Sequence, residues 1–241
     1  MSEPEQKQMG TADQTGLCQA QVLGVTGGIG SGKSAVLSIL KEDYGFRILE
    51  TDRLAKELMC PGTPCYERLK EAFGKRILAE DGRIDRQAYA SLIYGSEELR
   101  RRSDEIVHPA VWKLAEDRIG AWCKEALNTG QPALSTGQQN RIFVALETAL
   151  PGERYRKICS AVMYVFAPEP VRIARLMENR GYSYERCLAI MRQQIPEEAY
   201  TAYADVFLDN GGSMEESRIR LDAILQNLFS GSILKKRNEK K

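Results

Sequence analysis

The chain has 241 residues, 43% of them hydrophobic, enough for one sizeable globular domain with an embedded subdomain. Its 34 Lys and Arg nearly cancel its 33 Asp and Glu, for a formal net charge of +1. That balance excludes the global basic field that draws nucleic acid or an anionic membrane, so any anion site must be local.

Residues 1–19 open polar and acidic, without an apolar segment, and read as a disordered arm. Residues 22–26 form a short apolar run ending in glycines, as a buried parallel strand does, and residues 35–41 carry apolar side chains at helical spacing. Between them lies Gly27-Gly28-Ile29-Gly30-Ser31-Gly32-Lys33-Ser34, which satisfies G-x-x-x-x-G-K-[ST] in full and has the strand and helix flanks that the motif requires. Glycines let a backbone wrap an anion with its N–H groups turned inward, and the following helix adds the partial positive charge of its N-terminus. The expected ligand is the polyphosphate of ATP, held by Gly28, Ile29, Gly30, Ser31, Gly32, Lys33 and Ser34. Lys33 would neutralise charge during transfer, and the Ser34 hydroxyl would join the coordination of Mg²⁺.

A second strand over residues 46–49 leads through Glu50-Thr51-Asp52 into a helix over 53–59, which places Asp52 at a strand's carboxyl end. From 64 to 128 the pattern is helical, with candidates at 66–73, 86–94, 97–107 and 109–127 separated by Gly, Pro and Asp signals. This reads as an inserted helical subdomain, about 54–128, in which Pro109 separates two helices. Further strands are expected at 142–146, 161–166 and 204–208, with helices at 171–179, 184–194 and 214–228. The path at Pro151-Gly152 must be a turn or a helix start, since proline cannot continue a helix interior or donate to a sheet ladder. Residues 231–241 form a basic tail of the kind that is usually solvated.

Strands alternating with helices predict a three-layer α/β/α fold around a parallel sheet, here within residues 20–230. The six cysteines, with no Cys-x-x-Cys pair, and the single histidine, His108, argue against zinc. Reduced thiols and a cytoplasmic location are the simpler expectation. The insert lacks the aromatic and basic stripe of a nucleic-acid surface, and nothing in the sequence spans a membrane. A monomer or weak homo-oligomer is expected.

A glycine loop alone does not separate kinases from GTPases and motors. The guanine-reading Asn-Lys-x-Asp is absent, and the chain is short for a motor. In order and spacing, Thr26 to Ser34, Glu50-Thr51-Asp52, Ile84-Asp85-Arg86, Val107-His108-Pro109, Arg172 with Arg175 and Arg180, Gln194, and Asp209-Asn210-Gly211 resemble dephospho-CoA kinases over about residues 20–228. The resemblance implies transfer of the ATP γ-phosphoryl group to the ribose 3′-hydroxyl of dephospho-CoA. It also implies Asp52 as the base, Arg175 and Arg180 as lid arginines over the triphosphate, and a lid at about 177–196. Four positions depart from the family pattern: Glu50 stands for an aspartate, Pro151-Gly152 replaces apolar residues, and Ser160 stands where an aspartate is common. These departures leave open a different small acceptor, or a nucleotide-binding protein that has lost turnover. Capping is the lesser alternative for Asp52, compatible with the base role, a solvated helix face is the alternative for the arginines, and a helix end or an Asn-Gly turn explains Gln194 and Asn210 equally well. His108 is expected to pack or to orient substrate.

Overall fold

The computed structural model describes residues 19–129 and 141–229. The expected arm, apart from Gln19, and the basic tail lie outside them. Five strands form one parallel sheet in the order β2-β3-β1-β4-β5. They are β1 (Gln19–Thr26), β2 (Arg47–Glu50), β3 (Arg141–Glu147), β4 (Ala161–Phe166) and β5 (Val206–Asp209). The central strand β1 buries Val22, Leu23 and Val25 almost completely, as an apolar run covered on both faces must.

Alternation along β1 and β4 assigns the two faces. Leu23 and Val25 of β1 and Ala161, Met163 and Val165 of β4 join one core with α1 (Lys33–Tyr44) and α10 (Met214–Leu228). On the other face Gly24 lies against the fully buried Tyr155 of α6 (Glu153–Ile158), and Tyr164 stacks on Tyr200 of α9 (Glu197–Thr201) with ring centroids 5.6 Å apart. Helices on both faces of a parallel sheet make the three layers that strand and helix alternation predicted. α1 ends at Gly45, whose φ of 72° suits a left-handed cap and whose N–H donates to Lys41 O at 3.1 Å.

The chain divides into two compact units, residues 49–120 and the remainder. The smaller begins with α2 (Thr51–Leu58) and α3 (Pro64–Phe73), continues through a 3-10 turn (Gly74–Ile77) and α4 (Arg86–Tyr94), and takes in most of α5 (Glu97–Thr129). Its interior holds Cys65, Tyr66, Leu69, Phe73, Ile77 and Tyr89, with the Phe73 and Tyr89 rings edge to face at 5.9 Å. The larger unit also carries α7 (Glu169–Arg180) and α8 (Tyr184–Arg192), which share a small core of Ile173, Leu176 and Cys187.

Two expectations are corrected. Pro109 does not divide the last helices of the insert; it lies inside α5, a continuous helix of 33 residues. An interior proline forfeits one backbone bond and costs about 3 kcal/mol. Here the four-residue stripe Val107, Val111 and Ala115, with Ile106, is buried to 7% exposure or less, and that burial outweighs the loss. The short helix α9 carried no periodic signal, and the sequence reading missed it. The path after Pro151 is a helix start: α6 begins directly after Gly152.

Candidate nucleotide site

The glycine loop fills the turn from β1 to α1. Gly27 has φ 151°, and a Cβ there would stand 2.4 Å from Val165 O; Gly32 has φ 91°, and a Cβ there would meet Asn210 Nδ2 at 2.1 Å. Only glycine tolerates both the conformation and the contact. At the centre of the loop, buried Ser31 Oγ has no hydrogen-bond partner among the described residues. A tight glycine cradle, an orphan hydroxyl and the first turn of α1 fit an anion that accepts several hydrogen bonds. Ser34, the second residue of α1, is exposed and free to join a cation's shell alongside phosphate oxygens and water.

Lys33 folds back on the loop. Its Nζ donates to Gly27 O at 2.7 Å and lies 3.7 Å from Glu147 Oε1, both side chains being mostly buried. Parallel register sets Val25 of β1 beside Glu147 at the end of β3, so the carboxylate stands next to the base of the loop. Sequence reading missed this pairing. Its one visible signal was an acidic residue closing an apolar strand run, the same signal that singled out Asp52.

Two side chains converge on the Ser31 carbonyl. Asn210, 2% exposed in the turn after β5, donates Nδ2 to Ser31 O at 2.7 Å and accepts from Ser217 Oγ of α10 at 2.6 Å. Arg175 of α7 donates to Ser31 O at 3.4 Å and to Asn210 O at 2.8 Å. Both ends of the buried amide are satisfied, and the arginine is held on backbone oxygens. Asn210, left outside the catalytic set on sequence grounds, is thus part of the scaffold of the loop.

A second clamp grips the start of the loop. Gln194, beyond the end of α8, accepts from Ile29 N at 2.9 Å and from Arg172 Nη2 at 3.0 Å, while Arg172 Nε donates to Ile29 O at 2.8 Å. The Ile29 side chain packs on the core shared by α7 and α8. A cleft of about 440 Å³ opens beside this clamp, lined by Gly28, Tyr164, Glu169, Arg172, Gln194 and Tyr200 among others. Burial, followed by the nearby Glu197 carboxylate, pushes the Tyr164 hydroxyl up to about 12, while the Arg172 charge pulls it down.

The remaining candidates are placed separately. Arg180 ends α7 and is exposed. Asp52 lies on the smaller unit, exposed in the first turn of α2; Glu50 precedes that helix as its N-cap, so Asp52 is not the capping residue. His108 is half exposed within α5, 3.5 Å from Asp104 one turn earlier. Ser160 accepts from Val22 N at 3.1 Å, a strand-end contact.

A family model described as dephospho-CoA kinase matches residues 21–216. The dephospho-CoA kinase of Carboxydothermus hydrogenoformans is 36% identical over 206 residues, 85% of this chain and 93% of that one. The dephospho-CoA kinase of Moorella thermoacetica is also 36% identical, over 208 residues, 86% of this chain and 92% of its own. Among solved structures, TT1252 from Thermus thermophilus superposes with TM-score 0.67 at 30% identity, covering 87% of this chain and 98% of that one. The dephospho-CoA kinase from Campylobacter jejuni superposes with TM-score 0.60 at 21% identity, covering 88% of this chain and 99% of its own, a likeness of fold.

Proposed function

The chain belongs to the dephospho-CoA kinase family, and from that premise we propose that it transfers the γ-phosphoryl group of ATP to the ribose 3′-hydroxyl of dephospho-CoA. The observation that carries this reading is the complete glycine loop, Gly27 to Ser34, with its orphan Ser31 hydroxyl, in a chain that matches the family over residues 21–216.

In this mechanism the backbone from Gly28 to Ser34 cradles the polyphosphate. Lys33 exchanges Gly27 O for phosphate oxygens and stabilises the charge that spreads over the transferred group. Ser34 would hold Mg²⁺, which would offset part of the negative charge of the phosphates. Asp52 takes the proton of the attacking hydroxyl as the new O–P bond forms and the bond to the β-phosphate oxygen breaks. Arg175, just before the lid, and Arg180 within it, at about 177–196, face the triphosphate, and closure of the lid excludes water as a competing acceptor. The insert, about 54–128, takes the acceptor. No helix among the described residues is long and apolar enough to cross a membrane, and the reading is completed by a cytoplasmic location and a monomeric or weakly associated enzyme that has no nucleic-acid partner.

The test is Mg²⁺-ATP turnover with dephospho-CoA, a panel of nucleosides and nucleotides, and no acceptor, following ADP and product mass. CoA should form, and Lys33→Ala should lower turnover by about a hundredfold or more. Product from another acceptor alone would move the specificity, and tight ATP binding without any product would mean that turnover has been lost.

A further inference from the structure

Arg172 is a half-buried cation whose charge is not neutralised. Its hydrogen-bond partners are the Ile29 carbonyl at 2.8 Å and the Gln194 amide oxygen at 3.0 Å, both formally uncharged. Among the described residues no carboxylate lies within ion-pair distance of it, although Glu169 and Glu197 line the same cleft. A buried or half-buried guanidinium with only neutral partners is costly unless an anion completes it.

Its position is also fixed tightly. A Cβ on Gly28 would stand 2.5 Å from Arg172 Nη2, so the guanidinium lies directly on the glycine loop. Nε and Nη2 are tied down by Ile29 and Gln194, while the guanidinium has five N–H donors in a rigid fork. The remainder are available toward the cleft that adjoins Gly28. Arg172 lines that cleft together with Tyr164 and Tyr200, and its charge draws both hydroxyls down against the burial that raises them.

We propose that Arg172 contacts a phosphate oxyanion in the cleft beside Gly28 during transfer, and that Gln194 is the positioning residue that holds it there. Two sources share that chemistry: the phosphoryl group leaving ATP, and the diphosphate of the acceptor. The inference rests on the kinase reading above and adds to it a residue outside the lysine, aspartate and lid-arginine set.

The experiment compares Arg172→Gln, Arg172→Lys and Gln194→Met with the full-length wild type. It reads kcat, KM for ATP and for dephospho-CoA, calorimetric titrations with ATP, ADP and dephospho-CoA, and melting temperature. Arg172→Gln should lose about tenfold or more in kcat/KM. Arg172→Lys, which keeps the charge and loses the fork, should recover part of it, and Gln194→Met should fall in the same direction as Arg172→Gln. A fall in kcat with binding unchanged assigns the contact to the phosphoryl group in transit. Weaker binding of ATP with ADP unaffected assigns it to the γ-phosphate before transfer, and weaker binding of dephospho-CoA alone assigns it to the acceptor's diphosphate. Arg172→Gln within twofold of wild type in every kinetic and binding measurement, whatever its melting temperature, overturns the proposal. If wild type makes no product from dephospho-CoA, the kinase reading fails by itself, and the ATP and ADP titrations still decide the role of Arg172.

Discussion

Asn210 illustrates how much of the site is decided by single buried polar atoms. Its amide joins the glycine loop at Ser31 to the last helix at Ser217, inside the protein. Asn210→Ala removes both bonds and leaves space around groups that cannot reach water, a cost of about 1–3 kcal/mol. Urea unfolding should show that loss, and ATP titration should show weaker binding, because the loop is less firmly held. Asn210→Asp should do no better, since it replaces the donor to Ser31 O with a charge that repels it. Lys33 and Ser34 were legible as residues because their spacing from the glycines is itself the signal. The pairings of Lys33 with Glu147 and of Asn210 with Ser31 were not, since each joins segments more than a hundred residues apart that only strand order brings together.

Among the elements, α10 was the most legible and also carries a pH-dependent cap. Ser213 Oγ accepts from Glu216 N at 3.2 Å, and the Glu216 carboxylate accepts from Ser213 N at 2.7 Å, a reciprocal capping box. The Ser213 backbone N–H, then its hydroxyl, holds the Glu216 carboxyl below its ordinary value. A folded-state pKa that is lowered contributes stability above the unfolded pKa and loses it as pH falls through the folded one. Glu216→Gln should therefore be less stable than wild type at neutral pH, and the gap should close in acid below the usual carboxylate range. Urea midpoints across pH 2.5 to 7, roughly spanning that titration, check it. By contrast, α5 was misread at Pro109 because a proline is a local signal, and the burial that overrides it belongs to the whole face of the helix.

At the scale of the molecule, the proposed base and the glycine loop belong to different compact units, with Asp52 on residues 49–120 and Lys33 on the remainder. Under the proposed mechanism Asp52→Asn should lower kcat by about 10²–10⁴-fold while ATP binding stays near wild type, because the base acts on the acceptor hydroxyl alone. Single-turnover kinetics alongside ATP titration would show it, and equal losses in both would remove Asp52 from the role. The sequence by itself determined the alternation of strands and helices, the glycine loop between β1 and α1 and the resemblance to dephospho-CoA kinases, since each is written in local periodicity or in fixed spacing. Only the tertiary structure decided that Glu147 stands beside Lys33, that Asn210 and Arg175 meet at Ser31, and that Gln194 seats Arg172 on Gly28. Those contacts depend on strand order and on the packing of α7 and α8, which no local pattern encodes.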